Sequence, residues 1–113
     1  MDEETLKCLF DFSYGIYIVS SLKDGKFNGQ LVNTVFQVTA EPPRIAASIN
    51  KHNLTHDYIA ASGLYSVSVV AETAPMTFLG LFGFKSGRQT DKFAAVKYKI
   101  GGSSVPLVTE NCV

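Results

Sequence analysis

The sequence predicts a mainly β domain, a small closed barrel interrupted by short helices, and three observations carry that expectation. Extended, β-branched or aromatic runs recur at short spacing over residues 15–21, 27–32, 33–39, 44–49, 64–71, 96–100 and 105–108. Turn chemistry separates them, as Lys23-Asp24-Gly25-Lys26, Pro42-Pro43 and Gly101-Gly102-Ser103-Ser104. The helical stretches are short and do not alternate regularly with strands, which fits a barrel with insertions better than an open doubly wound sheet.

Each element follows in chain order. Asp2 to Phe12 reads as a short helix with acidic residues at its start and Leu6, Leu9 and Phe10 on one face, expected to pack as a lid or end plug. Gly15 to Ser21 is a strand, Asp24-Gly25 a hairpin signal, and Phe27 to Val32 leads into the next strand. Asn33 to Thr39 is extended. Pro42 and Pro43 stop ladder pairing there, and Arg44 to Ile49 resumes it. Thr55 to Ala61 is a helix stopped at Gly63, with Thr55 either capping it or facing a ligand, and Leu64 to Ala71 alternates as a half-buried strand. Pro75 opens a second helix, apolar around much of its girth through Met76, Phe78, Leu79, Leu81 and Phe82, and therefore core or interface. After Gly83 comes a polar, basic loop to Phe93, in which adjacent Asp91 and Lys92 read as a local ion pair.

At 113 residues a single domain, 1–113, is expected. Charged residues make up only 18% of the chain and sum to zero, which argues against nucleic-acid binding and for a buried interface or an occupied apolar pocket. The acidic start and the lack of a long apolar run predict a cytoplasmic protein without a membrane span. Cys8 and Cys112 lack CxxC spacing and read as reduced thiols. His52 and His56 find no third partner for a metal, and no nucleophile, base and orienting group form a set. Neither G-x-G-x-x-G after the first strand nor GKS/GKT occurs, which removes the best-known nucleotide loops.

The candidate site centres on Asn33 to Ile59. Its loop, Asn50-Lys51-His52-Asn53-Leu54-Thr55, gathers a cation, hydroxyl and amide groups and free helix-start N–H groups, a place suited to an anion such as a phosphate. The loop after Gly83, with Lys85, Ser86, Gly87 and Arg88, is the second candidate.

The combination of Gly15-x-Tyr17-x-Val19, Asn33-Thr34-Val35-Phe36-Gln37-Val38-Thr39, Glu41-Pro42-Pro43, Ser48-Ile49-Asn50-Lys51, Asn53-x-Thr55, Ser86-Gly87-Arg88 and Asp91-Lys92-Phe93 resembles the flavin reductase-like family of FMN-binding split β-barrels. It is most similar there to the flavin domain of high-molecular-weight rubredoxins and flavoredoxins, over essentially the whole chain. Family members usually carry further C-terminal strands, so the resemblance implies a shortened member. It also implies FMN as cofactor, NAD(P)H as electron donor, a homodimer, and a flavin reductase or oxidoreductase activity. Two other readings stay open: an electron-relay module for a rubredoxin or flavodiiron partner, and a structural remnant with weak flavin binding. By the same resemblance the flavin ring lies along Asn33, Thr34, Val35, Phe36 and Gln37. Ser48, Asn50, Lys51, Asn53 and Thr55 then meet the ribityl chain and phosphate, joined by Lys85, Ser86, Gly87 and Arg88.

Overall fold

The computed structural model describes residues 1–113. Helix α1 (Glu3–Cys8) begins at Asp2, whose carboxylate accepts the Thr5 N–H at 2.7 Å, and passes into a 3-10 turn, Leu9–Asp11. Strands β1 (Tyr17–Lys23) and β2 (Lys26–Val32) form an antiparallel hairpin. Asp24 and Gly25 make its two-residue turn at φ 52° and 76°, the left-handed pair that lets the strands keep their right-handed twist. β5 (Ser66–Val69) pairs with the other edge of β1, giving a three-stranded sheet ordered β2-β1-β5.

β3 (Val35–Ala40) and β4 (Pro43–Ala47) form a separate hairpin, with a register shift between Gln37 and Thr39 that leaves Val38 unpaired. Pro43 opens β4 opposite Ala40 rather than lying outside the ladder; the first position of an outer strand is one that proline tolerates. β6 (Tyr98–Ile100) and β7 (Pro106–Val108) make a third antiparallel pair. The expected mainly β architecture with short helices is therefore present. Its strands fall into three separate sheets rather than one closed barrel, because β3–β4 and β6–β7 each pair only with themselves.

Helix α2 (Leu54–Ser62) ends at Gly63 in the left-handed region, φ 72°, where a side chain would be strained. It packs chiefly on β1. Helix α3 (Met76–Gly83) buries Phe78 and Phe82 against the sheet. Phe78, Phe82, Ile18, Val108 and Phe93 form the core. Edge-to-face rings link it: Phe78 to Phe82 at 5.5 Å between centroids, Phe82 to Phe93 at 6.0 Å, and Phe93 to Tyr98 at 5.2 Å. Contacts of this geometry add about 0.5–1.5 kcal/mol each beyond area burial. Phe93 closes the loop after α3, so the core itself fixes where that loop returns.

Two apolar surfaces remain open. α1 buries no residue, and Leu9 and Phe10 are exposed, so it does not pack here as the lid its amphipathic pattern predicts. Amphipathicity fixes which face is apolar, not what covers it. Phe36, Val38 and Ile45 on β3–β4 are likewise exposed. Cys8 and Cys112 are free thiols, and no helix is long and apolar enough to cross a membrane.

Candidate functional site

Two neighbouring cavities take up most of the residues singled out in the sequence. The first, of about 420 Å³, is bounded by Tyr14, Tyr17, Asn33, Thr34, Val35 and Phe36, with Ser48 beside Thr34. Its size is that of a small-molecule site, and its walls combine aromatic and aliphatic faces with a few polar groups. Thr34 and Ser48 hold its two sides together: the Thr34 hydroxyl donates to the Ser48 carbonyl at 2.6 Å, and the Ser48 N–H donates to the Thr34 carbonyl at 2.9 Å. Gln37 does not reach this cavity. Its Nε2 donates to the Thr39 carbonyl at 3.1 Å, across the irregularity in β3.

The second cavity, of about 290 Å³, lies where the start of α2 meets the loop after α3. Asn53 and Thr55 line one wall, Lys85, Ser86, Gly87 and Arg88 the other, and Asn28 and Gln30 of β2 the floor. The two loops named in the sequence thus converge on one space. β2 also connects the cavities, because its Asn28, Gln30 and Leu31 border the second and the chain runs directly on from Leu31 to Asn33 in the first, a step of ~7 Å along an extended backbone.

The polar geometry of this second space is well defined. Asn53, not Thr55, is the N-cap of α2, and its side chain makes no capping bond, so its amide is uncommitted. The N–H groups of Leu54 and Thr55 have no backbone acceptor, as expected for a first helical turn. Thr55 is 1% exposed and accepts Nδ2–H of Asn28 at 2.8 Å, which leaves its own proton to donate. The Ser86 hydroxyl accepts the Arg88 N–H at 3.1 Å. At Gly87 an added Cβ would collide with the Asn28 carboxamide and press on Leu54, so this wall approaches β2 as backbone alone.

Charge is distributed unevenly. Lys85, Arg88 and Lys92 all border the second cavity and no carboxylate does. Arg88 is half-exposed and reaches Asp57 of α2 at 3.4 Å, a solvent-screened pair outside the cavity wall. Asn50 and Lys51 do not line either cavity. The Asn50 side chain accepts the His52 N–H at 2.9 Å to shape the turn, and Lys51 sits exposed at its crest, two residues from Asn53.

Lys92 is the residue that sequence reasoning placed differently. It makes no ion pair with Asp91, whose carboxylate accepts the Phe93 N–H at 3.2 Å. Instead its Nζ is buried and donates to the Gly29 carbonyl at 2.8 Å and the Phe82 carbonyl at 3.3 Å. Burial pushes its pKa down to about 8. The only sequence signal was its place between Asp91 and Phe93: Phe93 enters the core and carries its neighbour inward.

A ring-sized, partly apolar cavity beside a small cationic one defines a site for an aromatic ligand that carries an anionic tail. Comparison with known proteins identifies the family. Residues 9–113 match the flavin reductase like domain, and the chain belongs to that family. It is 48% identical over 105 residues to the high molecular weight rubredoxin of Moorella thermoacetica, covering 93% of this chain and 46% of that one. It is 44% identical over 108 residues to the ferric-chelate reductase (NAD(P)H) of Archaeoglobus fulgidus, covering 96% of this chain and 64% of that one. Among solved structures, the flavoredoxin of Methanosarcina acetivorans superposes with a TM-score of 0.80 at 24% identity, over 88% of this chain and 53% of that one. The chain thus spans only part of each relative's length.

Proposed function

We propose that this chain binds FMN and serves as an oxidoreductase that passes electrons from NAD(P)H through the flavin to an acceptor. The observation that carries the reading is the carboxylate-free cavity lined by Asn53, Thr55, Ser86 and Arg88, linked through the end of β2 to the Tyr17–Val35–Phe36 cavity. Asn53, Thr55, Ser86 and Arg88 would hold the phosphate, and Lys85 adds charge at the rim. Asn33, Thr34, Val35 and Phe36 would bound the ring, with Ser48 at its edge. Bound FMN would supply the hydride and electron transfer; the polypeptide supplies binding, orientation and electrostatics. Gly87 fits this assignment, because a backbone wall admits a phosphate where a side chain would fill the space.

Lys51, Asn50 and Gln37 take outer parts in this reading. Lys51 contributes long-range attraction from the crest of the turn, Asn50 shapes that turn, and Gln37 steadies β3 behind the ring cavity. The donor is supported by the name of the Archaeoglobus relative, a ferric-chelate reductase (NAD(P)H). Anaerobic addition of NADH or NADPH to the FMN-loaded protein should bleach the flavin absorbance; no bleaching with either would reject the reductase reading.

Similarity to a high molecular weight rubredoxin favours a second reading, in which the domain relays electrons to a rubredoxin or a flavodiiron protein. Reoxidation of the reduced protein by rubredoxin, faster than by oxygen-free buffer alone, would support it. The exposed Phe36, Val38 and Ile45 are consistent with a homodimer, which sedimentation would test.

A further inference from the structure

A third cavity, of about 610 Å³, opens between the β1–β2 hairpin turn, α2, the loop after α3 and β6. It adjoins the second cavity, with which it shares Gly87 and Arg88. Its other residues have no part in the FMN reading. One wall is aromatic. Tyr98 is 39% exposed, and Phe27 and Phe93 hold it edge-to-face at 5.7 and 5.2 Å between centroids. Tyr58 of α2 borders the same space. A ring fixed in this way offers contact area that loses little freedom when a ligand arrives.

The facing wall is a tight turn, in which the N–H groups of Gln89 and Thr90 both donate to the Ser86 carbonyl at 3.1 Å. Side-chain hydrogen bonds of this loop involve Ser86, Arg88, Asp91 and Lys92, which leaves the Gln89 amide and the Thr90 hydroxyl free. Charges of both signs border the cavity. Lys26 and Arg88 are the cations, and Lys26 forms no salt bridge. Asp91 is the carboxylate; its Oδ1 accepts the Phe93 N–H, and its Oδ2 remains for another donor.

We propose that this cavity is a second ligand site, for an adenylate. Each part of such a ligand has its counterpart. The flat purine packs on the Tyr98 and Tyr58 rings, as bases do on aromatic side chains. The Gln89 amide matches the N6/N7 edge of adenine, which a carboxamide meets with two hydrogen bonds. Asp91 can accept from a ribose hydroxyl, and Lys26 and Arg88 suit the phosphate. A simple anion would gain nothing from the rings and would be repelled by Asp91. A purely apolar ligand would leave both cations unused. Two sources carry the same chemistry: a free adenylate, or the adenylate half of a dinucleotide whose remainder extends past Arg88 toward the second cavity. The inference stands apart from the FMN reading, because AMP contains no flavin.

The test is calorimetric titration of wild type, Gln89→Ala and Tyr98→Leu with AMP, before and after saturation with FMN, and separately with FMN and FAD. Wild type should bind AMP in both states, and each substitution should weaken AMP about 10-fold. FMN affinity should stay within about 2-fold in both variants, since the two cavities are bordered by different side chains at these positions. FAD bound about 10-fold tighter than FMN, with the excess lost in Gln89→Ala, supports the site and makes the flavin dinucleotide the source. AMP binding with equal affinities for FAD and FMN supports it with a free adenylate as the source. No AMP binding together with equal affinities for FAD and FMN overturns the inference. So does AMP binding that FMN abolishes, or an AMP affinity or FAD preference that Gln89→Ala leaves unchanged. If Tyr98→Leu does not fold, Gln89→Ala at an exposed loop position decides alone. Protein that binds AMP but not FMN defeats the FMN reading and supports this one; protein that binds FMN and shows neither adenylate effect does the reverse.

Discussion

Asn28 donates from Nδ2 to the hydroxyl of Thr55 at 2.8 Å, joining the middle of β2 to the first turn of α2 with both side chains buried. This bond spans 27 residues of sequence and fixes the floor of the cationic cavity to the wall formed by the start of α2. Asn28→Ala would leave the Thr55 hydroxyl without its donor and open a small void. Stability should fall by about 1–3 kcal/mol, read from urea unfolding, and FMN affinity should fall with it. Thr55→Ser keeps the bond and should cost much less in both measurements.

Gly87 faces the same asparagine. Gly87→Ala places a methyl group where the Asn28 carboxamide already sits, and the collision falls on a side chain held by Thr55 rather than on a free one. A loss of about 1–3 kcal/mol in unfolding free energy is expected, together with weakened FMN binding. A substitution neutral in both would mean that the loop can move away from β2.

Arg88 separates affinity from stability. Its pair with Asp57 is about half-exposed on both sides, so Arg88→Met should change unfolding free energy by less than about 1 kcal/mol. The same substitution removes a forked donor from the cavity rim and should weaken FMN about 10-fold while leaving riboflavin nearly unaffected. Isothermal titration with both flavins checks the split.

Lys92 predicts an unusual alkaline limb in the stability curve. The folded-state pKa, about 8, lies below the unfolded value of 10.5, so the unfolded chain binds more protons between them. Unfolding free energy should therefore rise with pH across that window, by on the order of a few kcal/mol at most, with the full penalty of the buried charge present below pH 8. Urea midpoints of wild type and Lys92→Met at pH 7.5 and 10 measure it: the difference between the two proteins should change in this direction, and a constant difference would contradict it.

What was legible in the sequence was local. Asp24-Gly25 and Gly63 announce positive φ, and the structure uses both that way. The alternating runs locate every strand to within a few residues. The two loops were visible as concentrations of polar groups, and their convergence on one cavity follows from α2 and α3 packing on the same sheet. Legibility ended where a contact depends on distant chain. Thr55 as a possible cap gave way to Asn53 because the turn at Asn50 starts the helix one residue early. The ion pair read for Asp91 and Lys92 failed for a related reason: Lys92 reaches Gly29, 63 residues away, and no local pattern reports that a lysine will be buried. The apolar face of α1 and the closure of the sheets are surfaces whose partners no periodicity specifies.

The central claim is that one aromatic, phosphate-bearing ligand bridges the Val35–Phe36 cavity and the Asn53–Arg88 cavity. Spectroscopic titration of the wild-type protein at pH 7.5 with FMN and, separately, with riboflavin tests it most directly. The account predicts saturable one-to-one binding of FMN, at least about 10-fold tighter than riboflavin. Equal affinity for the two flavins, or no binding of either, would contradict it.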